Sequence, residues 1–225
     1  MTLPQRGSDP GAAGFVLAGG QSSRMGTDKA LVEFSGEPLV GHALRILREA
    51  GIETSIAGAR SPLGDLAPVV DDHASFPGQG PLSGICGALA ATRAQHAVFI
   101  PVDLPFLPPS LIAYMLGHAR ITGAVVTCPA IKGYTQTFPA VIDQAILPDL
   151  LGSLNSGDRG TFAAFRSAAG ANDRSMSILP VEYLVQAGQV LHPAGIPPSF
   201  WFLNFNMPHD IDRAEGLLRS HGQVS

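Results

Sequence analysis

The stretch GFVLA, from Gly14 to Ala18, is a short apolar run that ends at a glycine pair, and it decides the fold class. Apolar runs of this length between turn residues are typical of buried strands. Similar runs follow at TSIAG (54–58), APVV (67–70), AVFIPV (97–102) and AVVTC (124–128). Because these runs are continuous rather than alternating, they indicate a parallel sheet that is covered on both faces.

Helical patterns separate these strands. The predicted helices cover residues 38–50, 82–92 and 109–119. Alternating strands and helices in a chain of 225 residues favour one α/β domain. We therefore predict a single-domain, Rossmann-like fold over residues 14–225, with a mostly parallel sheet covered by helices on both faces, after a flexible leader over residues 1–13.

The later part of the chain is less regular. FPAVI (138–142) and WFLNF (201–205) are interpreted as strands, and residues 144–154, 161–169 and about 210–220 as helices. The segment from Gly170 to Ser199 contains four prolines and is predicted to be a loop-rich excursion.

Composition narrows the class of protein. Lys and Arg number 14 against 18 Asp and Glu, and the net charge of −4 without a basic run argues against a nucleic-acid partner. Gly and Pro interrupt the uncharged stretches, so no membrane span is predicted. Residues 1–13 have neither a basic start nor an apolar segment, so no secretory signal is predicted and we expect a cytoplasmic protein. Cys86 and Cys128 lack metal-ligand spacing and are predicted to be buried, reduced thiols.

The loop LAGGQSSRMGTDKAL, residues 17–31, follows the first predicted strand directly. Glycines allow backbone N–H groups to approach a phosphate chain, and the two cations Arg24 and Lys29 suit the charge of a triphosphate. The nucleotide-binding candidates here are Leu17, Ala18, Gly19, Gly20 and Lys29. The alternative is a surface turn with solvated charges.

A second candidate segment is VVDDHASFPGQGPLSGI, residues 69–85. Small residues before a helix would admit a flat base or a ribose, and Asp72 at a strand end can accept hydrogen bonds from guanine or a sugar. The candidates are Asp72, Gly80, Pro81, Leu82 and Ser83. For Asp72 the alternative is a helix N-cap.

Asp103 lies in FIPVDLPFLPP, residues 99–109, at the end of an apolar strand. A carboxylate in such a place is costly unless it is paired or bound to a cation, so we predict that Asp103 is a magnesium ligand and part of the nucleotide site. The alternative is a cap for the helix that begins near Pro109.

These segments together resemble the molybdenum cofactor guanylyltransferases, within the wider nucleotidyltransferase family. The family's opening motif is matched by residues 17–31, its Gly-Pro-Leu-Ser-Gly segment by residues 80–84, and its Asp-x-Pro segment by Asp103. The resemblance implies Mg²⁺-dependent transfer of GMP from GTP to the molybdopterin cofactor, with pyrophosphate released. Arg24, Lys29 and Asp103 would be catalytic, with transient contacts to proteins that deliver or receive the cofactor.

The resemblance also implies an acceptor side. In SGDRG (156–160), Arg159 would hold the pterin phosphate or Asp158 a pterin amine. Asn204 and Asn206, alternating on a strand, would contact a pterin edge. Their alternatives are a polar turn and turn chemistry at the end of a strand. The stretch 170–199 is longer than in most members of the family. This departure concerns the identity of the acceptor more than that of the nucleotide.

The sequence leaves alternatives open for the nucleotide, the acceptor and the activity. Relatives that use CTP look like LAAG, so Gly19 favours the guanine branch. The rival functions are transfer from CTP, transfer to a sugar or alditol phosphate, and a catalytically inactive nucleotide-binding regulator.

Overall fold

An eight-stranded sheet forms the centre of the protein, with the strand order β10-β7-β9-β6-β1-β4-β5 and β8 paired to β7. The computed structural model describes residues 11–19, 28–58, 63–171, 174–206, 209–211, 214 and 216. The strands are β1 (Ala12–Leu17), β4 (Glu53–Ala57), β5 (Val69–Val70), β6 (His96–Pro101), β7 (Val126–Ile131), β8 (Tyr134–Thr135), β9 (Ala140–Asp143) and β10 (Met176–Pro180), with a separate hairpin of β2 (Glu33–Phe34) and β3 (Glu37–Pro38).

Helices cover both faces of this sheet. They are α1 (Leu39–Glu49), α2 (Pro81–Ala91), α3 (Pro109–Thr122), α4 (Leu147–Asn155), α5 (Thr161–Gly170), α6 (Val181–Gln186) and α7 (Pro198–Trp201). Short 3-10 turns lie at Lys29–Leu31, Leu63–Asp65 and Gln144–Ile146.

The sheet is mostly parallel, as the sequence predicts. β1 runs parallel to β4 and β6, β4 to β5, and β7 to β10, whereas β9 runs antiparallel to both of its neighbours. The ends of β1, β4, β5 and β6 therefore lie side by side at one edge, which is where parallel sheets bind ligands.

Two apolar clusters fill the two faces. One joins α1 and α3 to the sheet and includes Trp201 and Phe205, and the other joins α2, α4 and α5 to it. Phe15 and Phe99 stack within the second cluster at a centroid distance of 5.3 Å. Because both faces are buried, the strands need no polar side, which explains their continuous apolar sequences.

The prediction of a strand over residues 201–205 is wrong. Pro197 caps a short helix there, and residues 203–206 have no regular structure. The apolar pattern instead buries single aromatic side chains, since Trp201 and Phe205 are 1% and 0% exposed.

The predicted loop over residues 170–199 is also partly wrong, because it contains the edge strand β10 and the helix α6. At the other end, β1 begins at Ala12, two residues before the predicted start at Gly14. Much of the helix predicted over 210–220 lies outside the described residues, although 209–211 are helical.

The two cysteines are free and buried, which confirms that prediction. In the part of the chain that the structure describes, no helix is long and apolar enough to cross a membrane.

Candidate active site

Three polar side chains from distant parts of the chain meet at the edge where the parallel strands end. Lys29 Nζ donates to Asp103 Oδ2 at 2.7 Å and to Asn206 Oδ1 at 2.8 Å. The side chains of Lys29 and Asp103 are 19% and 20% exposed, so the ion pair is partly shielded but open to a ligand. We call Lys29, Asp103 and Asn206 the ammonium cluster.

Local structure positions each member of the ammonium cluster. Asp28 caps the 3-10 turn that carries Lys29, by accepting from Ala30 N at 3.0 Å. Asp103 follows β6 by two residues, and its backbone carbonyl accepts from Phe205 N at 3.1 Å. This last bond brings Asn206, the next residue, beside Asp103.

A trio of aromatic rings anchors the same region. Phe34, Phe106 and Phe205 pack edge to face, with centroid distances of 4.9 to 5.8 Å. All three are at most 3% exposed. Edge-to-face aromatic contacts add about 0.5–1.5 kcal/mol each beyond burial. The trio therefore holds Phe205 in place, and with it the backbone of the next residue, Asn206.

The ends of β1 and β4 approach each other closely beside this cluster. A Cβ on Gly19 would lie 2.8 Å from the carbonyl oxygen of Gly58, closer than real Cβ contacts. Ala18 N also donates to Ala57 O at 3.1 Å. Gly19 is therefore required by packing, whatever ligand the following loop binds.

The segment between β5 and α2 forms a self-contained loop around Asp72. Asp72 Oδ2 accepts from Gly78 N at 2.7 Å, and a Cβ on Gly58 or Gly84 would lie 3.2 or 3.4 Å from its Oδ1. Helix α2 packs so tightly on this loop that a Cβ on Gly87 would lie 2.2 Å from Asp71 O. The alternative of Asp72 as a helix N-cap is wrong, because Gly80 is the N-cap of α2.

Among the other candidates in this loop, exposure separates two groups. Gly80 and Pro81 are exposed. Leu82 and Ser83 are 0% exposed, and the Ser83 hydroxyl donates to the carbonyl of Phe76. Leu82 and Ser83 therefore hold the loop on the core, as buried Leu17 holds the end of β1.

Residues 14–173 match the model of the MobA-like NTP transferase domain. The chain belongs to this family. The match includes Lys29, Asp72 and Asp103, and Asn206 lies beyond it.

Curated relatives of this MobA-like chain include guanylyltransferases from several bacteria. It is 40% identical over 108 residues to the molybdenum cofactor guanylyltransferase of Xanthomonas euvesicatoria, covering 48% of this chain and 54% of that protein. It is 35% identical over 167 residues to the enzyme of that name from Burkholderia orbicola, covering 68% of this chain and 80% of that protein. The chain thus spans about half the length of the first relative and four fifths of the second.

Solved structures share the fold. The molybdopterin-guanine dinucleotide biosynthesis protein A of Archaeoglobus fulgidus aligns with a TM-score of 0.72 at 20% identity, covering 92% of this chain and 99% of that one. The 2-C-methyl-D-erythritol 4-phosphate cytidylyltransferase of Thermus thermophilus aligns with a TM-score of 0.61 at 16% identity, covering 91% and 98%. At these identities the likeness concerns the fold.

The three acceptor candidates do not lie together. Asn206 contacts Lys29, whereas Asn204 and Arg159 are exposed and make no hydrogen bond or ion pair with any residue that the structure describes. The segment of Arg159 joins α4 to α5, on the α2 side of the sheet. Gly20 and Arg24 lie outside the described residues.

The ammonium cluster can hold a metal ion only together with a ligand. No group of three His, Cys, Asp or Glu side chains that could bind a metal occurs among the described residues. Mg²⁺ commonly takes one or two protein oxygens and completes its shell with phosphates and water. Asp103 Oδ2 and Asn206 Oδ1 already converge on one cation, the Lys29 ammonium, so the donor set fits such an ion. Asp103 does not cap α3, whose N-cap is Pro108.

A separate cavity of about 340 Å³ lies beside the hairpin of β2 and β3. Its lining includes His42, Arg45, Phe34, Phe106 and His192, but neither Lys29 nor Asp103. Burial lowers the pKa of His192. This cavity is therefore distinct from the ammonium cluster, although both touch the aromatic trio.

Sequence reasoning missed the contact between Lys29 and Asn206 and the role of the aromatic trio. The contact joins residues 177 positions apart, so no local pattern contains it. The apolar runs LPFL (104–107) and WFLNF (201–205) indicated burial of Phe106 and Phe205, but not their mutual packing.

Proposed function

We propose that this protein transfers GMP from GTP to the phosphate of the molybdopterin cofactor, releases pyrophosphate, and requires magnesium. The observation that carries the proposal is the ammonium cluster at the carboxyl edge of the sheet in a MobA-like domain. The names of the relatives, molybdenum cofactor guanylyltransferases, support the choice of nucleotide and acceptor.

The reaction needs no covalent enzyme intermediate. An oxygen of the acceptor phosphate attacks the α-phosphorus of GTP, a new P–O bond forms, and the bond to the β-phosphate breaks as pyrophosphate leaves. The acceptor oxygen is already anionic, so the protein mainly aligns the two phosphates and neutralises their charge.

Asp103 and Asn206 would hold magnesium through the oxygens that now accept from Lys29. Magnesium supplies a Lewis acid that offsets the charge of the phosphate oxygens. Lys29 would donate to the phosphates of the leaving group, with Arg24 as the second cation of the same loop. As the sequence predicts for the glycine pair, backbone N–H groups of Gly19 and Gly20 would donate to the phosphate chain.

Asp72 would select the base. Guanine offers two adjacent donors, N1–H and the N2 amino group, and a carboxylate can accept from both. Cytosine offers an amino donor without that adjacent N–H, so the same carboxylate favours guanine. Exposed Gly80 and Pro81 flank the entrance to this loop, whereas buried Leu82 and Ser83 shape it from below.

The acceptor would be bound by Arg159 and Asn204, two exposed polar side chains without a partner among the described residues. Arg159 offers a guanidinium for a phosphate and Asn204 an amide for a pterin edge. We further propose that the reaction occurs in the cytoplasm, where GTP is made, and involves transient contacts with proteins that deliver or receive the cofactor.

The test is pyrophosphate release with each of the four nucleoside triphosphates, with and without molybdopterin and with Mg²⁺ or EDTA. We expect release only with GTP, molybdopterin and Mg²⁺ together, and a product whose mass equals that of the guanine dinucleotide form of the cofactor. Calorimetric titration should give tighter binding of GTP than of CTP or UTP.

Other results would assign the rival functions. Release with CTP would identify a cytidylyltransferase, and release only with a sugar or alditol phosphate would change the acceptor. Nucleotide binding without any pyrophosphate release would identify a catalytically inactive regulator.

A further inference from the structure

His42 is a buried histidine on α1 that the proposed reaction does not use. It is 7% exposed, and its Nε2 lies 2.8 Å from the backbone carbonyl oxygen of Phe34. Arg45 Nη2 lies 2.8 Å from Nδ1 of the same ring. A guanidinium can only donate, so Nδ1 accepts, and Nε2 carries the hydrogen that is donated to Phe34.

Arg45 is itself held in place. Its Nε donates to Glu37 Oε2 at 3.3 Å, and its Nη1 lies 3.6 Å from Glu49 Oε1. His42 Nδ1 is also 3.6 Å from Glu37, too far for a hydrogen bond, so Arg45 decides its tautomer. The ring therefore has one orientation, and its donor is directed at the hairpin of β2 and β3.

Phe34 connects this hairpin to the ammonium cluster. Its ring packs edge to face on Phe205 at a centroid distance of 4.9 Å. Phe205 donates its backbone N–H to Asp103 O and immediately precedes Asn206, which accepts from Lys29. A continuous set of contacts thus runs from Arg45 through His42, Phe34 and Phe205 to the groups proposed to react.

We infer that His42 is a positioning residue, which sets the distance between Lys29, Asp103 and Asn206 through Phe34 and Phe205. The inference rests on the proposed function for its kinetic consequence only. The base-binding loop around Asp72 packs on α2, on the other side of the sheet. Loss of the His42 contact should therefore lower kcat and leave the KM for GTP nearly unchanged.

The test compares His42→Leu with His42→Gln. Leu fills the volume but cannot donate, so the Phe34 carbonyl loses its partner and the hairpin shifts. Gln offers an N–H that can reach the same carbonyl. Because a small misplacement of reacting groups has a large effect on rate, we expect kcat to fall about tenfold in His42→Leu and to recover most of that loss in His42→Gln.

His118→Leu is the matched control. His118 lies on another helix, α3, is half-buried, and its Nε2 makes a hydrogen bond of 3.1 Å with Ser177 Oγ on β10. His118→Leu likewise removes a side-chain hydrogen bond between two secondary-structure elements, but this bond does not involve the aromatic trio. We expect kcat of His118→Leu to stay within about twofold of the wild type.

Hydrogen exchange of the Phe205 amide gives a second readout that needs no substrate. This amide donates to Asp103 O, so we expect its exchange to become about tenfold faster in His42→Leu and to stay unchanged in His118→Leu. A wild-type protein that released no pyrophosphate with any nucleotide would overturn the proposed function, and the exchange measurement would still decide the role of His42. Equal exchange in both Leu variants, or a kcat loss that Gln does not recover, would overturn the inference.

Discussion

The ammonium cluster and the loop around Asp72 are built in opposite ways. In the cluster, Lys29 is 74 positions from Asp103 and 177 from Asn206. These residues meet through the order of strands in the sheet and through the backbone bond from Phe205 to Asp103. The Asp72 loop is closed by contacts within a dozen residues, such as Asp72 to Gly78 and Ser83 to Phe76. A site made from distant pieces depends on the whole fold, whereas a local loop depends on its own packing.

This difference predicts different responses to mutation. The side chains of the ammonium cluster are partly exposed, so their replacement should affect rate more than stability. The Asp72 loop packs closely on α2 because glycines leave no side chain between them. A methyl group added at such a glycine should therefore lower stability more than it lowers the rate.

The largest effect is expected in the ammonium cluster. Asp103→Asn keeps the shape but removes the charge, and we expect pyrophosphate release to fall by about 10²- to 10³-fold. Because the pair with Lys29 is a fifth exposed, the free energy of unfolding should change by about 1 kcal/mol or less. Steady-state kinetics and urea unfolding measure both.

Asp143→Asn is the control for that change. Asp143 lies opposite His96 in the β6–β9 pair, at the end of β6 away from Asp103. It caps a 3-10 turn by accepting from Ala145 N at 2.8 Å, a role that Asn can also fill. Near-normal turnover in Asp103→Asn, or an equal loss in Asp143→Asn, would contradict the proposed role of Asp103.

The second effect is expected in the Asp72 loop. In Gly87→Ala the new Cβ would lie 2.2 Å from Asp71 O, so α2 and the loop must separate, and we expect a loss of about 1–3 kcal/mol in the free energy of unfolding. GTP affinity should fall with it. Gly152→Ala, in α4 with open space around the new Cβ, should instead stabilise the protein by up to about 1 kcal/mol. If both variants unfold at the same urea concentration, the packing argument fails.

The third comparison separates two neighbouring asparagines. Asn206→Ala removes an acceptor of the Lys29 ammonium, and we expect kcat for GMP transfer to fall about tenfold. Asn204→Ala should raise the KM for molybdopterin and leave the KM for GTP unchanged. Kinetics with each substrate varied in turn test this, and the opposite assignment would return Asn206 to the acceptor side.

The smallest effect concerns the thiols. Burial raises the pKa of Cys86 and of Cys128 from 9.0 to about 12. At pH 9 only about one thiolate in 10³ is present in the native state, against about half in the unfolded chain, so a disulfide reagent should label both thiols only in urea. In Gly87→Ala, Cys86 on α2 should be labelled before Cys128 on β7. Simultaneous labelling would mean that α2 does not open on its own.

The features that the sequence predicted well depend on a few adjacent residues. Continuous apolar runs identified β1, β4 and β6, because such a run is a property of a few adjacent residues. The assignment of Asp103 as a magnesium ligand stays a prediction, and in the structure its carboxylate pairs with Lys29. The sequence did not predict β10, an edge strand with partly exposed residues and a proline at its end. Nor could it predict that the chain after α7 returns to Asp103, because a single backbone bond from Phe205 accomplishes this.

The backbone bond from Phe205 to Asp103 also has a consequence for the order in which the parts of the site are synthesised. A ribosome makes the chain from its amino end, so every strand of the sheet exists once Pro180 has been added, while the amide of Phe205 and the side chain of Asn206 do not. In a nascent chain, the strands of the sheet therefore precede the residues that complete the ammonium cluster and part of the core, Phe205 among them. A chain truncated after Leu191 would represent that earlier stage, because it contains every strand of the sheet and lacks Phe205 and Asn206.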